Sequence, residues 1–295
     1  MENVIGQVSI LSSLKMELGE SPVWDNESRV CYWVDIEGKI LFRFNWQTKE
    51  LRQYVFEKKL SLIVPGKNEM VLLAFQGGIA SFNINSGDLT CLNDLGIDWT
   101  DMRCNDGACD NRGRLWMGTM QLDCREGEGT LYCIEHNVTV TKKIDRVSIS
   151  NGIAWSADNT RLYYTDSSTR QVVCYKYDEA TGNITFEKIA IRVPTELGLP
   201  DGIAMDAEGM LWVALWGGFG VSRWDVHTGR LVCFISVPVP QVSSCAFAGE
   251  RLDQLVITTA RKGMSDYDLL QYPKSGHVFI VNAGVRGLPR FYANI

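Results

Sequence analysis

The chain has 295 residues, 45% of them hydrophobic and 22% charged, with a formal net charge of −6 and a pI near 5.2. That balance fits a folded protein with a sizeable core and excludes disordered, collagenous and coiled-coil chains. The acidic charge and the lack of any Lys/Arg cluster argue against a nucleic-acid partner, and no apolar run approaches the roughly 18 residues of a membrane-spanning helix.

In chain order, Met1–Gln7 lacks the basic segment and long apolar run of a secretory leader. Residues 8–14 read as a strand. Short β-branched and aromatic runs follow, bounded by Gly, Asn, Asp or Pro: Cys31–Asp35, Leu115–Gly118, Leu162–Asp166, Leu211–Ala214 and Leu255–Thr259. They are too short and too punctuated for helices. One helical turn is expected at Leu269–Tyr272, stopped by Pro273. The nine cysteines include no Cys-x-x-Cys pair, and several sit in apolar runs (Cys31, Cys133), where they act as small core hydrophobes. A reducing, cytoplasmic location is expected.

The runs recur. Each follows a polar residue, an apolar stretch and a turn, and the polar residues heading the units are Glu20, Ser61, Asn105, Asn151, Asp201 and Ser244, 41 to 50 residues apart. The spacing alone places Ser61 in this series. The units Asn151-Gly-Ile-Ala-Trp-Ser-Ala-Asp and Asp201-Gly-Ile-Ala-Met-Asp-Ala-Glu are near copies. A repeat of this length holding about four short strands is a propeller blade. The whole chain, 1–295, therefore predicts a single all-β domain, a six-bladed β-propeller in which the N-terminal strand completes the last blade. A solenoid is the alternative, but the chain has no capping repeats of distinct composition. Trp24, Trp116, Trp155 and Trp212 recur at matching places and are expected to pack between blades.

The first strand of each blade lines the central channel, so the residues heading the units converge there. Two carboxylates and two amides in one place call for a cation, and oxygen donors favour Ca²⁺, Mg²⁺ or Mn²⁺, with Zn²⁺ also acceptable. The competing reading is local: Asn151-Gly152 and Asp201-Gly202 are also ordinary turn dipeptides. Glu20 fits that reading poorly.

The segments Gly19–Asp25, Arg103–Gly107, Gly118–Met120, Ser150–Ser156, Pro200–Ala204, Pro238–Phe247 and Ile257–Arg261 resemble, in order, the motifs of the senescence-marker-protein/gluconolactonase family, the regucalcin-like sugar lactonases. The resemblance spans about residues 15–282. It implies one divalent metal ion held by Glu20, Asn151 and Asp201, and substrate contacts at Arg103 and Asn105. An acid often follows the Gly-Thr-Met motif in this family, and Asp123 is the nearest candidate here.

The expected activity is metal-assisted opening of a small-molecule sugar lactone, gluconolactone being one such substrate, with Asp201 as general base beside its role as ligand. A monomer or weak homo-oligomer is expected. Three histidines without a nucleophile motif, and no Gly-x-Ser-x-Gly elbow, leave little room for a serine or cysteine mechanism. Two alternatives remain: a propeller esterase acting on aryl esters or phosphotriesters, and a non-catalytic calcium-binding or interaction propeller.

Overall fold

Each β-branched or aromatic run of the sequence is a strand in the computed structural model, which describes residues 6–294. The strands form six four-stranded antiparallel sheets. Most of the N-terminal stretch read as lacking a leader, residues 1–5, lies outside the described residues. Five sheets are consecutive in sequence. The sixth joins Ser9–Ser12 to Val278–Asn282, with Ser9 opposite Ile280, so the N-terminal strand is the outer strand of the last blade, as the repeat reading requires.

The innermost strands of blades 1 to 6 are Gly19–Asp25, Leu60–Pro65, Met102–Cys109, Ser150–Trp155, Leu199–Met205 and Val242–Ala248. All six carry a register shift against the next strand, and it falls at or beside the residue heading the unit: Glu20/Val23, Leu60/Leu62, Cys104/Gly107, Ser150/Ile153, Pro200/Ile203 and Val242/Ser244. An extra residue in one strand kinks it and re-aims its side chains. Asn151-Gly152 and Asp201-Gly202 are therefore bulges inside strands rather than tight turns, and neither glycine has positive φ. Their glycines serve close approach: a Cβ on Gly152 would lie 2.6 Å from Asp201 O, and one on Gly202 would lie 2.0 Å from Ser244 Oγ.

Apolar side chains fill the gaps between blades, and each neighbouring pair has its own buried cluster, including the pair formed by blades 6 and 1. That last cluster contains Trp24, Trp33, Val256 and Val278 and closes the ring, which excludes the solenoid. The repeated tryptophans pack as expected. Trp116 meets Trp155 edge-on across blades 3 and 4, and Trp212 meets Phe247 across blades 5 and 6.

Two features differ from expectation. The helix spans Asp266–Gln271, starting three residues early because Ser265 and Asp268 form a reciprocal capping box. The C-terminal segment crosses the channel end opposite the unit heads, which the repeat does not encode. Leu288 N–H donates to Met205 O at 3.2 Å, Ala293 N–H to Pro65 O at 2.8 Å, Asn294 N–H to Gly113 O at 3.1 Å, and Tyr292 OH to Asp25 Oδ1 at 2.8 Å. These bonds tie the segment to blades 5, 2, 3 and 1.

Blades 3 and 4 are also joined by a buried polar cluster. Asp110 Oδ2 accepts from Arg114 Nε at 2.7 Å, Trp116 Nε1 at 2.9 Å and Tyr177 OH at 2.8 Å, with Asp110 and Arg114 both buried. Asp110→Ala strands the Arg114 guanidinium in a low-dielectric site, and a loss of about 3–5 kcal/mol is expected. Urea unfolding followed by tryptophan fluorescence measures it, and a loss under about 1 kcal/mol contradicts a structural role for the cluster.

Candidate metal centre

Glu20, Asn105, Asn151 and Asp201 lie in or immediately before the bulges of blades 1, 3, 4 and 5. All four are buried and line one cavity of about 310 Å³ together with Arg103 and Ser167. The chain takes a tight path at Glu20. Ser21 has φ 49°, a left-handed conformation costing about 1 kcal/mol or more, and its N–H donates to Glu20 Oε2 at 3.1 Å. The Ser21 hydroxyl accepts from Ile63 N at 3.2 Å, so the same residue docks blade 1 on blade 2.

Two aspartates fix the approach to these strands. Asp35 accepts from Glu17 N and Leu18 N at 2.9 and 3.0 Å, and Asp166 accepts from Ser148 N and Ile149 N at 2.8 and 3.0 Å. Each closes the second strand of its blade and clasps the backbone just ahead of Glu20 or Asn151. The signal was the Asp ending Cys31–Asp35 and Leu162–Asp166.

The amides form a chain. Asn105 Nδ2 donates to Ser150 O at 2.6 Å and to Asn151 Oδ1 at 3.2 Å, and Asn151 Nδ2 donates to Ser167 Oγ at 2.8 Å. Arg103 Nη1 donates to Cys104 O at 3.0 Å and to Asn105 Oδ1, while its buried Nε has no partner.

Burial is the dominant electrostatic effect. It pushes the Glu20 carboxyl up to about 8, with the negative charge of Asp106 adding to the rise. Asp201 is raised well above the usual carboxylate range by burial first and then by Glu20 and Asp106. Burial also lowers Arg103, the cation facing Glu20 and Asp201. Asp201 Oδ1 is buried without a hydrogen-bond donor. An orphaned carboxylate oxygen, a second carboxylate bonded only to one backbone N–H and a nearby amide oxygen make an oxygen-only donor set, which fits a hard divalent ion. Among the described residues no three His, Cys, Asp or Glu side chains gather at ligand spacing, because this set mixes two carboxylates with amides.

The remaining residues singled out in the sequence fall elsewhere. Asp123 is exposed, paired with Arg125 at 2.9 Å, and is not among the cavity-lining residues. Ser61 Oγ donates to Cys104 O at 2.6 Å, and Ser244 lines a smaller cavity further along the channel with Asp106 and Arg290. Asp106, Ser167, Trp216 and Lys262 were missed. Asp106 stood in view within Arg103–Gly107, but nothing in the pattern separated its role from that of Asn105.

The family profile described as SMP-30/Gluconolactonase/LRE-like region matches residues 18–261. Regucalcin of Xenopus laevis is 32% identical over 94% of this chain and 98% of its own. The solved structure of a calcium-binding regucalcin from Agrobacterium tumefaciens superposes with a TM-score of 0.91 at 29% identity, covering 98% of this chain and 96% of that one. A luciferin-regenerating enzyme gives the same TM-score and identity, with 99% of each chain covered. By the extent of the profile match, the channel geometry and these full-length likenesses, the chain belongs to the SMP-30/gluconolactonase family.

Proposed function

We propose that the chain is a divalent-metal-dependent hydrolase that opens sugar lactones, gluconolactone among them, to the aldonic acid. The observation that carries this reading is the buried, unpartnered Asp201 Oδ1 beside Glu20, Asn151, Arg103 and Asn105 in one cavity. Glu20, Asn151 and Asp201 hold the ion. A hard cation (Ca²⁺, Mg²⁺ or Mn²⁺) suits these donors best, and Zn²⁺ is compatible. When bound, the ion supplies Lewis acidity toward a carbonyl oxygen and lowers the pKa of neighbouring water.

The chain's own groups do the rest. The Arg103 guanidinium has donors to spare and holds the lactone oxygen or a ring hydroxyl. Asn105 is locked by its three hydrogen bonds, so its contact with substrate orients the ring without moving. Asp201 takes a proton from the attacking water as the water oxygen bonds to the carbonyl carbon. It then passes that proton to the ring oxygen as the lactone C–O bond breaks, giving the open-chain hydroxy acid. The nine free thiols suit a reducing cytoplasm, and among the described residues no helix is long and apolar enough to cross a membrane. A monomer or weak homo-oligomer acting on a small molecule, without nucleic acid, fits the acidic chain.

Three tests follow from the site. Sugar lactones are expected to open with acid release that chelator abolishes, while aryl esters and phosphotriesters lag; the reverse order assigns the site to the esterase reading. Asp201→Asn keeps an oxygen ligand but loses the base, and kcat is expected to fall about 10²- to 10⁴-fold at saturating metal. Full activity with metal bound removes Asp201 from proton transfer. The third test is thermal. With Glu20 raised from 4.5 to about 8, the metal-free folded state binds more protons than the unfolded chain in that window, so its stability falls as pH rises. Tm of chelated protein is expected to drop from pH 5 to 8. Millimolar Ca²⁺ is expected to flatten that slope and to raise Tm most at pH 8.

A further inference from the structure

The positive charge at the cavity exceeds what the chain itself balances. Arg103 is 5% exposed, yet both of its hydrogen bonds go to neutral oxygens, Cys104 O and Asn105 Oδ1. Lys262 lines the same cavity. It stands just past the second strand of blade 6, and its backbone N–H donates to Glu17 O at 2.9 Å, which ties it to the start of blade 1. Its ammonium donates to Glu37 Oε1 at 2.5 Å, while Lys59, just ahead of the innermost strand of blade 2, pairs with Glu37 Oε2 at 2.6 Å. Burial opposes the ionisation of Glu37, and the two ammonium groups still hold its carboxyl below the ordinary value. Arg103 is within reach of the same carboxylate: burial lowers its affinity for a proton, and Glu20 and then Glu37 counter that.

One carboxylate thus answers three cations, Arg103, Lys59 and Lys262, and two positive charges are left over. Glu20 and Asp201 do not supply the missing anion, because a divalent ion held between them matches both of their charges. Further down the channel Asp106 and Arg290 face each other. Asp201 apart, blades 4 and 5 line the cavity with uncharged residues: Ile149, Asn151, Ser167, Leu199 and Trp216. The cavity is therefore cationic on the side of Arg103 and Lys262, and neutral with hydroxyl and amide groups on the other.

An ammonium has three donors, and the bond to Glu37 occupies one of those on Lys262. Charge-assisted hydrogen bonds are about twice as strong as neutral ones, so an anion gains more there than a hydroxyl does. We propose that the preferred substrate is a sugar lactone bearing an anionic group, carboxylate or phosphate, at the end remote from the ester, and that Lys262 selects it. The proposal rests on the lactonase reading above and names its substrate class. Neutral aldonolactones such as gluconolactone occupy the same site with a hydroxyl at Lys262 and bind less tightly.

The experiment uses ring-matched pairs at saturating Ca²⁺, each rate corrected for uncatalysed opening. D-glucaro-1,4-lactone is set against D-glucono-1,4-lactone, and 6-phospho-D-glucono-1,5-lactone against D-glucono-1,5-lactone. kcat/KM for the anionic member is expected to exceed that of its neutral partner by about 10- to 100-fold, mainly through KM, and the pair with the larger ratio tells carboxylate from phosphate. Lys262→Gln is expected to cut that ratio about tenfold, Lys262→Arg to keep it, and about 0.5 M NaCl to erode it. Calorimetric titration with D-glucarate against D-gluconate reads the same preference without turnover. Ratios of one or below in both pairs overturn the inference and leave the lactonase reading standing. A ratio that survives Lys262→Gln overturns the assignment to Lys262. If no lactone opens while Ca²⁺ still binds, the lactonase reading falls and the inference falls with it.

Discussion

The one-residue register slip in every innermost strand is the constraint on which the rest of this molecule depends. Without it, strict alternation would carry the residues at the head of each unit to the wrong face of their sheets. With it, four polar side chains turn to a common cavity while the same strands return, a few residues later, to packing one blade on the next. The slip also joins the ring. Ser21 Oγ accepts from Ile63 N–H, Ser61 Oγ donates to Cys104 O, Asn105 donates to Ser150 O and Ser243 Oγ donates to Gly19 O, each bond crossing from one blade to its neighbour. At the two remaining joints Gly152 and Gly202 bring the neighbouring strand so close that a side chain has no room. Function and closure are thus written into the same few residues.

The polar gathering works against the folded state. Glu20, Asp106 and Asp201 share a desolvated channel, and burial raises all three carboxyls. Arg103 offsets part of this, but burial lowers its own affinity for a proton as well. Such a cluster persists because the surrounding apolar clusters over-determine the backbone, and a cation bound there would reverse the sign of the interaction. The strained Ser21 fits the same pattern, since its N–H holds the Glu20 carboxylate at the cavity.

The ring itself was legible because repetition is visible in one dimension. Unit spacing, the recurring tryptophans and the near-copy at Asn151 and Asp201 led to six blades and to the N-terminal latch, with the second strands found within a residue of their expected starts. The convergence of Glu20, Asn105, Asn151 and Asp201 was legible for the same reason. What repetition does not carry was missed. Asp106 belongs to a bulge whose second residue differs from unit to unit: Pro22, Asp106, Gly152, Gly202. Trp216 and Lys262 reach the cavity from segments outside the innermost strands. The exposure of Asp123 depends on a surface partner, Arg125, two residues away, and no spacing rule encodes that choice.

The C-terminal segment shows what a repeat cannot supply. Six similar blades enclose a channel with two equivalent openings, and a low-dielectric centre needs one of them shut. A non-repeating segment is the economical means, because it contacts several blades at once without matching any. Residues 288–294 do so through bonds to blades 5, 2, 3 and 1, and Phe291 and Arg290 line the channel from that side. Arg290 is the cation facing Asp106, whose carboxyl burial has pushed up to about 6, and its charge pulls that value back down. The charge beneath the cavity is therefore set by the chain's end, while the polar side chains above it are set by the repeat, and the two meet only in the folded ring.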